Sequence, residues 1–201
     1  EKSLERETLL RREIDHRVKN MLAQIVTLCK QAKKSAKKDS IEDLTHQINS
    51  LKLAHELLSK EGHSMLPLDE LVRQCCAPFI NCSPDRLVID GDSIFLKTKA
   101  AMCLSLVLNE LATNAKKHGA FLTNDGIVSV CWSSDENGLQ IQWVEKHSGT
   151  TVEIEKQGFG MQLLHNMIPF ELEGTTSVDM KKTGLEFTAI IPLDTVIEET
   201  Q

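Results

Sequence analysis

The stretch from Ala100 to His118 constrains this chain more than any other, because its apolar residues recur three and four positions apart. The residues of this apolar stripe are Ala100, Cys103, Leu104, Val107, Leu108, Leu111 and Ala115. That spacing is the period of an α-helix with one buried face. The sequence therefore predicts a helix over these residues, packed against the core of a domain.

Three polar residues lie in one row beside this stripe. Glu110, Asn114 and Lys117 occupy positions i, i+4 and i+7, and a rotation of about 100° per residue stacks them on the same side. An amide oxygen can bind Mg²⁺, a carboxylate can hold a metal-bound water, and an ammonium group pairs with phosphate oxygens. The row suits a hydrated magnesium ion and the phosphates that it bridges. A solvated helix edge is the alternative, and this stretch alone leaves both open.

Composition limits the class of protein. The chain has 201 residues and 41% of them are hydrophobic, which is enough for a core and for one or two domains. No apolar run approaches the roughly 18 residues that cross a bilayer, and Glu1 does not open a signal peptide. The first residues follow a charged helical pattern that resembles a cut through a longer helix. We therefore expect a further domain upstream of this sequence.

Charge and cysteine content narrow the choice further. Residues 1–40 have a net charge of +5 and the remaining 161 residues have −11, for a total of −6. A basic segment can bind nucleic acid, but the acidic remainder and an aromatic content of 4% argue against that function. The six cysteines form no CxxC pair and have no zinc-like spacing with histidine. We expect a cytoplasmic protein without disulfides or a metal cluster.

The N-terminal third carries two helical patterns. Apolar residues follow heptad spacing from Leu10 to Ala32 and again from Ile41 to Leu58, and Gly62 closes the second pattern. Together they predict an antiparallel helical hairpin that forms a first domain over residues 1–64. Neither helix can bury its whole stripe against the other, so a homodimeric four-helix bundle or docking onto another domain is expected. A monomer stays open, with the second stripe covered by the domain that follows.

His16 lies away from the first heptad seam. If Ile14 and Val18 are positions d and a, His16 occupies position f and projects into solvent. An exposed imidazole has a pKa of about 6.5, so it is largely neutral and nucleophilic at pH 7. Asn20 is one helical turn further on and shares its face. An ordinary surface histidine is the alternative interpretation.

After Pro67 the pattern changes to mixed α and β, which predicts a second domain over residues 65–201. Helices are predicted over Leu68–Phe79 and Met161–Met167 in addition to the long one. The predicted strands are Arg86–Asp90 and Ile94–Leu96 around a turn at Gly91, Ile127–Trp132 and Leu139–Glu145 as a hairpin, and Val178–Met180 and Leu185–Pro192 as a last hairpin. A frayed tail is expected over Asp194–Gln201. Two glycines, Gly158 and Gly160, open the later helix, where backbone amides can approach phosphate.

Four blocks, taken together, resemble the catalytic core of sensor histidine kinases of the HWE family, within the Bergerat-fold ATPase superfamily. The blocks are Glu13–Asn20 (EIDHRVKN), Asn109–Ala120 (NELATNAKKHGA), Gln142–Lys146 (QWVEK) and Gly158–Leu164 (GFGMQLL). The family is named for a histidine in the second block, here His118, and a Trp-x-Glu in the third, here Trp143 and Glu145. The resemblance runs from about Leu10 to Leu193. It implies an α+β chain in which a two-helix phosphoacceptor hairpin precedes an α/β sandwich that binds ATP.

For the hairpin, the resemblance implies a phosphoryl relay of two-component signalling. His16 would take the γ-phosphoryl group of Mg-ATP and pass it to an aspartate on the receiver domain of a response regulator. Asn20 matches the place where related kinases keep a residue that orients water for dephosphorylation. The base for the imidazole proton is not evident, and Asp15 and Glu13 are both candidates.

For the second domain, the resemblance implies a nucleotide site on the helix, the third block and the lid. Asn114 would bind magnesium, and Glu110 would hold a metal-bound water. Lys117 would contact phosphate, and His118 would line the same edge. Glu145 would bind the adenine amino group. The lid would pass close to the triphosphate at Gly158, Phe159 and Gly160.

The sequence departs from the family at His147, where relatives usually have glycine. A side chain there adds bulk near the nucleotide, which puts the affinity for ATP in question. Two other functions therefore stay open. One is an ATPase or serine/threonine kinase of the same superfamily that does not use His16, and the other is a degenerate kinase that binds a receiver domain as a scaffold.

Overall fold

From Met65 onward the described part of the chain forms seven strands, four α-helices and two 3₁₀ turns. The structure is a computed structural model, and it describes residues 48, 52, 65–80, 83–148 and 159–197. The chain divides into two compact units, Glu1–Ile48 and Asn49–Gln201, and every element named below belongs to the second. Of the predicted hairpin only Ile48 and Lys52 are described, and both are helical. His16, Asn20 and Gly158 lie outside the described residues. The predicted domain boundary at residue 64 stays a prediction.

Five strands form one sheet in the order β2-β4-β5-β7-β6, in which β2 is parallel to β4 and the other pairs are antiparallel. The strands are β2 (Leu87–Gly91), β4 (Ile127–Asp135), β5 (Gly138–Lys146), β6 (Thr175–Lys181) and β7 (Gly184–Ile191). Side chains alternate between the two faces, as the pleat of a strand requires. Val130, Ile141 and Phe187 are buried on one face, whereas Gln142 and Ile190 are exposed on the other. The core therefore lies on a single side of the sheet.

Helices cover that side. They are α1 (Leu68–Cys76), α2 (Thr98–His118), α3 (Phe159–Leu172) and the short α4 (Leu193–Val196). The predicted long helix is confirmed as α2, although it begins two residues earlier. Its first half is buried nearly all round, because α1 and α3 pack against it as well. This arrangement confirms the predicted α/β sandwich for the described residues, and within them no helix is long and apolar enough to span a bilayer.

The turn predicted at Gly91 is wrong, because Gly91 is the last residue of β2 and the strand that follows does not pair with β2. That strand is β3 (Phe95–Lys97), which pairs with β1 (Met65–Pro67) in a separate two-stranded sheet. The chain turns away because Trp132 holds it: the indole Nε1–H donates to the Asp92 carbonyl at 2.7 Å, and a Cβ on Gly91 would overlap the indole ring. The strand that sequence patterning missed, β1, leads directly into α1.

Two helix ends differ from the prediction, and a proline lies near each of them. Helix α1 ends at Cys76 instead of Phe79. Ala77 still has helical geometry and its N–H donates to the Arg73 carbonyl, but Pro78 has no N–H with which to continue the helix. Helix α3 continues past the predicted end to Leu172 even though Pro169 lies inside it. Pro169 leaves the His165 carbonyl without its helical donor, and the Thr176 hydroxyl donates to that carbonyl at 3.3 Å.

The predicted frayed tail is also wrong over its first residues. Leu193–Val196 form α4, and Val196 is fully buried. The Thr195 hydroxyl lies 3.2 Å from the carbonyl of Leu172, and Lys97 Nζ donates to the carbonyl of Asp194 at 2.7 Å. The segment is therefore docked against the end of α3 and the start of α2.

Candidate functional site

The polar row predicted on the long helix lies on α2, where one side of the helix emerges from the core. Glu110 and Asn114 are half-buried, and Lys117 is exposed. At 1.5 Å per residue, Glu110 and His118 are about 12 Å apart along the helix axis. The row, together with His118, therefore forms an elongated site, with Glu110 at its first end and His118 at its second.

At the first end, the opening turn of α3 lies against Glu110. A Cβ built on Gly160 would overlap Oε1 of the Glu110 carboxylate, so only glycine allows this close approach. Phe159 and Gly160 are the first residues of α3, where the main-chain N–H groups have no helical acceptor. The structure thus brings together the predicted lid glycine Gly160 and Glu110, the residue predicted to hold a metal-bound water.

At the second end, Glu145 is a buried carboxylate with 2% of its surface exposed. It projects from the buried face of β5, two residues after Trp143 and on the same side. Its Oε2 accepts a hydrogen bond from the Ala120 main-chain N–H at 2.9 Å, and its Oε1 accepts one from the Trp143 indole N–H at 3.2 Å. Desolvation by burial raises the pKa of Glu145, and these two hydrogen bonds oppose that rise without cancelling it.

Two glycines make room for this carboxylate. A Cβ on Gly119 would overlap Oε2 of Glu145. Gly184, which opens β7 with a φ of +140°, would place a Cβ 2.6 Å from the Cβ of Glu145. The Trp-x-Glu motif therefore depends on close main-chain approach from two directions. Trp143 itself is fully buried, and its indole orients Glu145 in addition to packing.

The segment from Gly119 to Gly126, called here the 119–126 segment, connects α2 to β4 and is held by Arg86. The Arg86 Nε donates to the Gly126 carbonyl at 3.0 Å, and its Nη2 donates to the carbonyls of Ala120 and Thr123 at 2.8 and 2.5 Å. Sequence reasoning missed this role and placed Arg86 at the start of a strand. It lies instead in a 3₁₀ turn, Pro84–Arg86, one residue before β2.

Three further polar groups border the same end. His118 is half-buried, and desolvation together with the charge of Lys117 lowers its pKa, so the imidazole is neutral at pH 7. The Ser148 N–H donates to the Asp125 carboxylate at 3.1 Å, and hydrogen bonds from Ser148 and Thr123 lower the Asp125 pKa to about 2. The His147 main-chain N–H donates to the Thr183 carbonyl at 3.0 Å. Both ring nitrogens of His147 are buried without a hydrogen-bond partner among the described residues.

The arrangement can bind an elongated, anionic ligand. A carboxylate, an amide and an ammonium group project from α2. The first turn of α3 lies at one end of this row, and the buried Glu145 carboxylate lies at the other as a hydrogen-bond acceptor. Within the described part of the chain, no cluster of three or more His, Cys, Asp or Glu side chains could hold a metal ion. A cation bound here would therefore depend on few protein ligands, with water or ligand oxygens completing its coordination.

The fold and this site define an α/β sandwich of the class found in histidine kinase catalytic domains. The structure resembles the histidine kinase domain of the blue-light-activated histidine kinase EL346 from Erythrobacter litoralis. The two share 19% identity over 90% of this chain and 92% of that one, with a TM-score of 0.65.

Sequence comparison gives a similarity to one family of histidine kinases. The HWE histidine kinase family model matches residues 13–93. A blue-light-activated histidine kinase of Rhizobium johnstonii is 31% identical over 90% of this chain, and one of Brucella ovis is 26% identical over 92%. The chain is therefore similar to HWE histidine kinases over nine tenths of its length. It spans 52% and 39% of the lengths of these two relatives.

Proposed function

We propose that this chain is the catalytic core of a bacterial sensor histidine kinase. It binds Mg-ATP along α2, phosphorylates His16 and passes the phosphoryl group to an aspartate on the receiver domain of a response regulator. The observation that carries the proposal is that two different binding groups lie at opposite ends of the polar row on α2. Glu110 meets the first turn of α3 at one end, and the buried Glu145 carboxylate meets Gly119 and Ala120 at the other.

The Glu145 end suits an adenine base. Each carboxylate oxygen has two acceptor positions, and the hydrogen bonds from Ala120 and Trp143 use one on each oxygen. An acceptor therefore remains for the amino group of adenine. A hypoxanthine or guanine base presents a carbonyl at that ring position and would meet the carboxylate as a second acceptor. Preference for ATP over ITP or GTP follows from this mismatch.

The Glu110 end suits the triphosphate. Lys117 supplies a positive charge, and the N-terminus of α3 supplies N–H groups and the positive end of a helix dipole. The Asn114 amide oxygen would bind magnesium directly, and Glu110 would hold a metal-bound water. Magnesium, when bound, neutralises negative charge on the phosphate oxygens.

His16 supplies the nucleophile. A ring nitrogen attacks the γ-phosphorus, an N–P bond forms, the bond from the γ-phosphorus to the β,γ-bridging oxygen breaks, and ADP leaves. The imidazole proton passes to a carboxylate, for which Asp15 and Glu13 are both candidates. Orientation and charge neutralisation account for most of the rate of phosphoryl transfer, so the chain contributes mainly by placing these groups.

The partners follow from the same proposal. A receiver domain takes the phosphoryl group, and a sensor domain upstream of His16 controls its transfer. The heptad seams favour a homodimer, and a monomer in which the second domain covers the second seam is the alternative. We place the protein in the cytoplasm, where ATP and receiver domains are available.

Labelling with [γ-³²P]ATP tests the proposal. The parent chain should incorporate phosphate that is lost in acid, as phosphohistidine is, and should transfer it to a receiver domain. His16→Ala should incorporate none while its ATP affinity and thermal midpoint stay at the parent values, since surface substitutions change stability by about 0.5 kcal/mol or less. Undiminished labelling of His16→Ala, or an acid-stable label, would favour the serine/threonine kinase alternative. A parent that binds ATP but is not labelled would favour an ATPase or a scaffold.

A further inference from the structure

We propose that Arg86 is a positioning residue for the nucleotide site. Its guanidinium group holds the 119–126 segment, and through that segment it fixes the Glu145 carboxylate in the orientation that reads the base. The inference rests on the proposed function, because it takes Glu145 as the group that binds adenine. Arg86 itself lies on the far side of the segment and contacts main chain.

The first step is the set of hydrogen bonds from Arg86 to the 119–126 segment. One guanidinium group donates to three carbonyls, those of Ala120, Thr123 and Gly126. Hydrogen bonds from a charged donor are about twice as strong as neutral ones. The same group lies over the buried Phe121 ring, 5.6 Å from its centroid, which adds a cation–π contact. These contacts reach the beginning, middle and end of the segment.

The second step runs through Ala120. Its carbonyl accepts a hydrogen bond from Arg86, and its N–H donates to Oε2 of Glu145. Ala120 is therefore held on one side by the arginine and holds the carboxylate on the other. The neighbouring Gly119 packs directly on the same oxygen. A displacement of this main chain by even 1 Å would lengthen the Ala120–Glu145 hydrogen bond beyond normal range.

The third step is that the 119–126 segment has little regular structure of its own and depends on contacts from outside it. Only Ala120–Leu122 form a turn of 3₁₀ helix within the segment, and the Leu122 N–H donates back to the Gly119 carbonyl. Arg86 connects this turn to the edge of the sheet at the start of β2, which is 34 to 40 residues away in sequence. A planar guanidinium presents donors in several directions at fixed angles, whereas a lysine ammonium offers a compact point charge. Arginine therefore suits a clamp on three carbonyls.

Nucleotide preference gives the first measurement. ATP and ITP differ at the position that Glu145 reads, so the ratio of their dissociation constants reports the placement of the carboxylate. Arg86→Gln should reduce the preference for ATP by about tenfold, the effect expected for one misplaced hydrogen bond to a charged group. ITP affinity should change much less. Arg73→Gln is the matched control, because Arg73 is exposed on α1 and pairs only weakly, at 4.0 Å, with Asp69.

The two tryptophans give the second measurement, which needs no nucleotide. The indole N–H of Trp143 donates to Glu145, and that of Trp132 donates to the Asp92 carbonyl at the other end of β2. In an ¹⁵N-labelled protein the two indole signals are resolved and assigned with Trp132→Phe. Arg86→Gln should shift the Trp143 signal and leave the Trp132 signal in place. Arg73→Gln should leave the Trp143 signal at its parent position.

The outcomes separate this inference from the proposed function. A parent that does not bind ATP, or binds ATP and ITP equally, overturns the proposed role of Glu145, and the indole signals then decide the role of Arg86. If Arg86→Gln does not fold, Arg86→Lys replaces it in both measurements, with smaller changes of the same sign expected. A folded Arg86 variant with the parent's Trp143 signal and the parent's ATP/ITP ratio overturns the inference, and Arg86 then only stabilises the fold.

Discussion

Glu145 combines burial with two hydrogen-bond donors, and these act on its charge in opposite directions. Desolvation disfavours the carboxylate, whereas the N–H groups of Ala120 and Trp143 favour it. Desolvation is the larger effect, so the pKa of Glu145 is raised in the folded protein. Between the ordinary pKa of glutamate and this raised value, the folded state binds more protons than the unfolded state. The contribution of Glu145 to stability therefore decreases as pH rises through that interval.

We expect the Trp143 indole signal to titrate with a midpoint above about 4.3, the ordinary pKa of glutamate. The indole N–H donates to Glu145 and is therefore a direct reporter of its protonation. Urea unfolding at several pH values should show the matching loss of stability on going upward through the same interval, measured as the difference between the parent and Glu145→Gln. The Trp132 signal is the internal control. A Trp143 midpoint at or below 4.3 would contradict the raised pKa.

Asn114→Ala should remove the magnesium dependence of nucleotide binding. The substitution deletes one oxygen ligand from a hard cation for which the chain offers few others. Isothermal titration with ATP, with and without Mg²⁺, measures the effect, and labelling of His16 should be lost in parallel. Asn166→Ala, at an exposed position of α3, is the control. If Asn114→Ala binds nucleotide as the parent does under both conditions, the polar row on α2 is a solvated helix edge.

At the scale of single residues, the sequence predicted which side chains belong to the candidate site better than it predicted their contacts with the main chain. The row on α2 follows from helical periodicity, and Trp143 and Glu145 belong to a short motif. Arg86 gave no local signal, because its acceptors are backbone carbonyls that lie 34 to 40 residues further along the chain. Backbone carbonyls have no sequence signature. Their partner can be found only after the fold has brought β2 beside the 119–126 segment.

At the scale of elements, local periodicity predicted α2 and the hairpin of β4 and β5, whose turn lies between Asp135 and Gly138 as expected. The parallel pairing of β2 with β4 was missed because strands about 40 residues apart leave no turn signal between them. The end of α3 was missed because the compensation for Pro169 comes from Thr176, on the following strand. Non-local contacts thus account for the errors in pairing and in the end of α3.

The docked α4 leads to a stability prediction. Val196→Ala should reduce the free energy of unfolding by about 1.5–3 kcal/mol, because the side chain is fully buried. Val88→Ala removes the same atoms at an exposed position of the edge strand β2, where 46% of Val88 is accessible, and should cost about 0.5 kcal/mol or less. Urea unfolding followed by circular dichroism measures both. Equal effects of the two substitutions would mean that the tail is frayed in solution.

At the scale of the whole molecule, the proposed reaction requires three surfaces to meet in turn. His16 must reach the γ-phosphate bound at the Glu110 end of α2, and it must later reach the aspartate of a receiver domain. The resemblance to HWE kinases implies that both events take place on the predicted hairpin that carries His16. A residue on the same helix face can therefore act on the second event without acting on the first.

Substitution of Asn20 can distinguish transfer from ATP to His16 from the later reaction on the receiver domain. Asn20 lies one turn after His16 in the predicted helix, where it can orient a water molecule toward the phosphoaspartate of a docked receiver. Transfer from ATP to His16 does not need that water. Asn20→Ala should therefore leave the labelling of His16 within about threefold of the parent, a change of less than about 1 kcal/mol in barrier height. It should slow the loss of phosphate from the receiver by more than that.

The measurement is a time course of receiver dephosphorylation after nucleotide has been removed, with parent, Asn20→Ala and Asn166→Ala compared at equal concentration. Asn166 is exposed on α3 and serves as a control for the loss of an amide elsewhere. If Asn20 only shapes the docking surface, transfer from His16 to the receiver and dephosphorylation of the receiver should slow together, because both begin with the same complex. Slower dephosphorylation with unchanged forward transfer supports a water-orienting role. Equal decay for Asn20→Ala and the parent would exclude it.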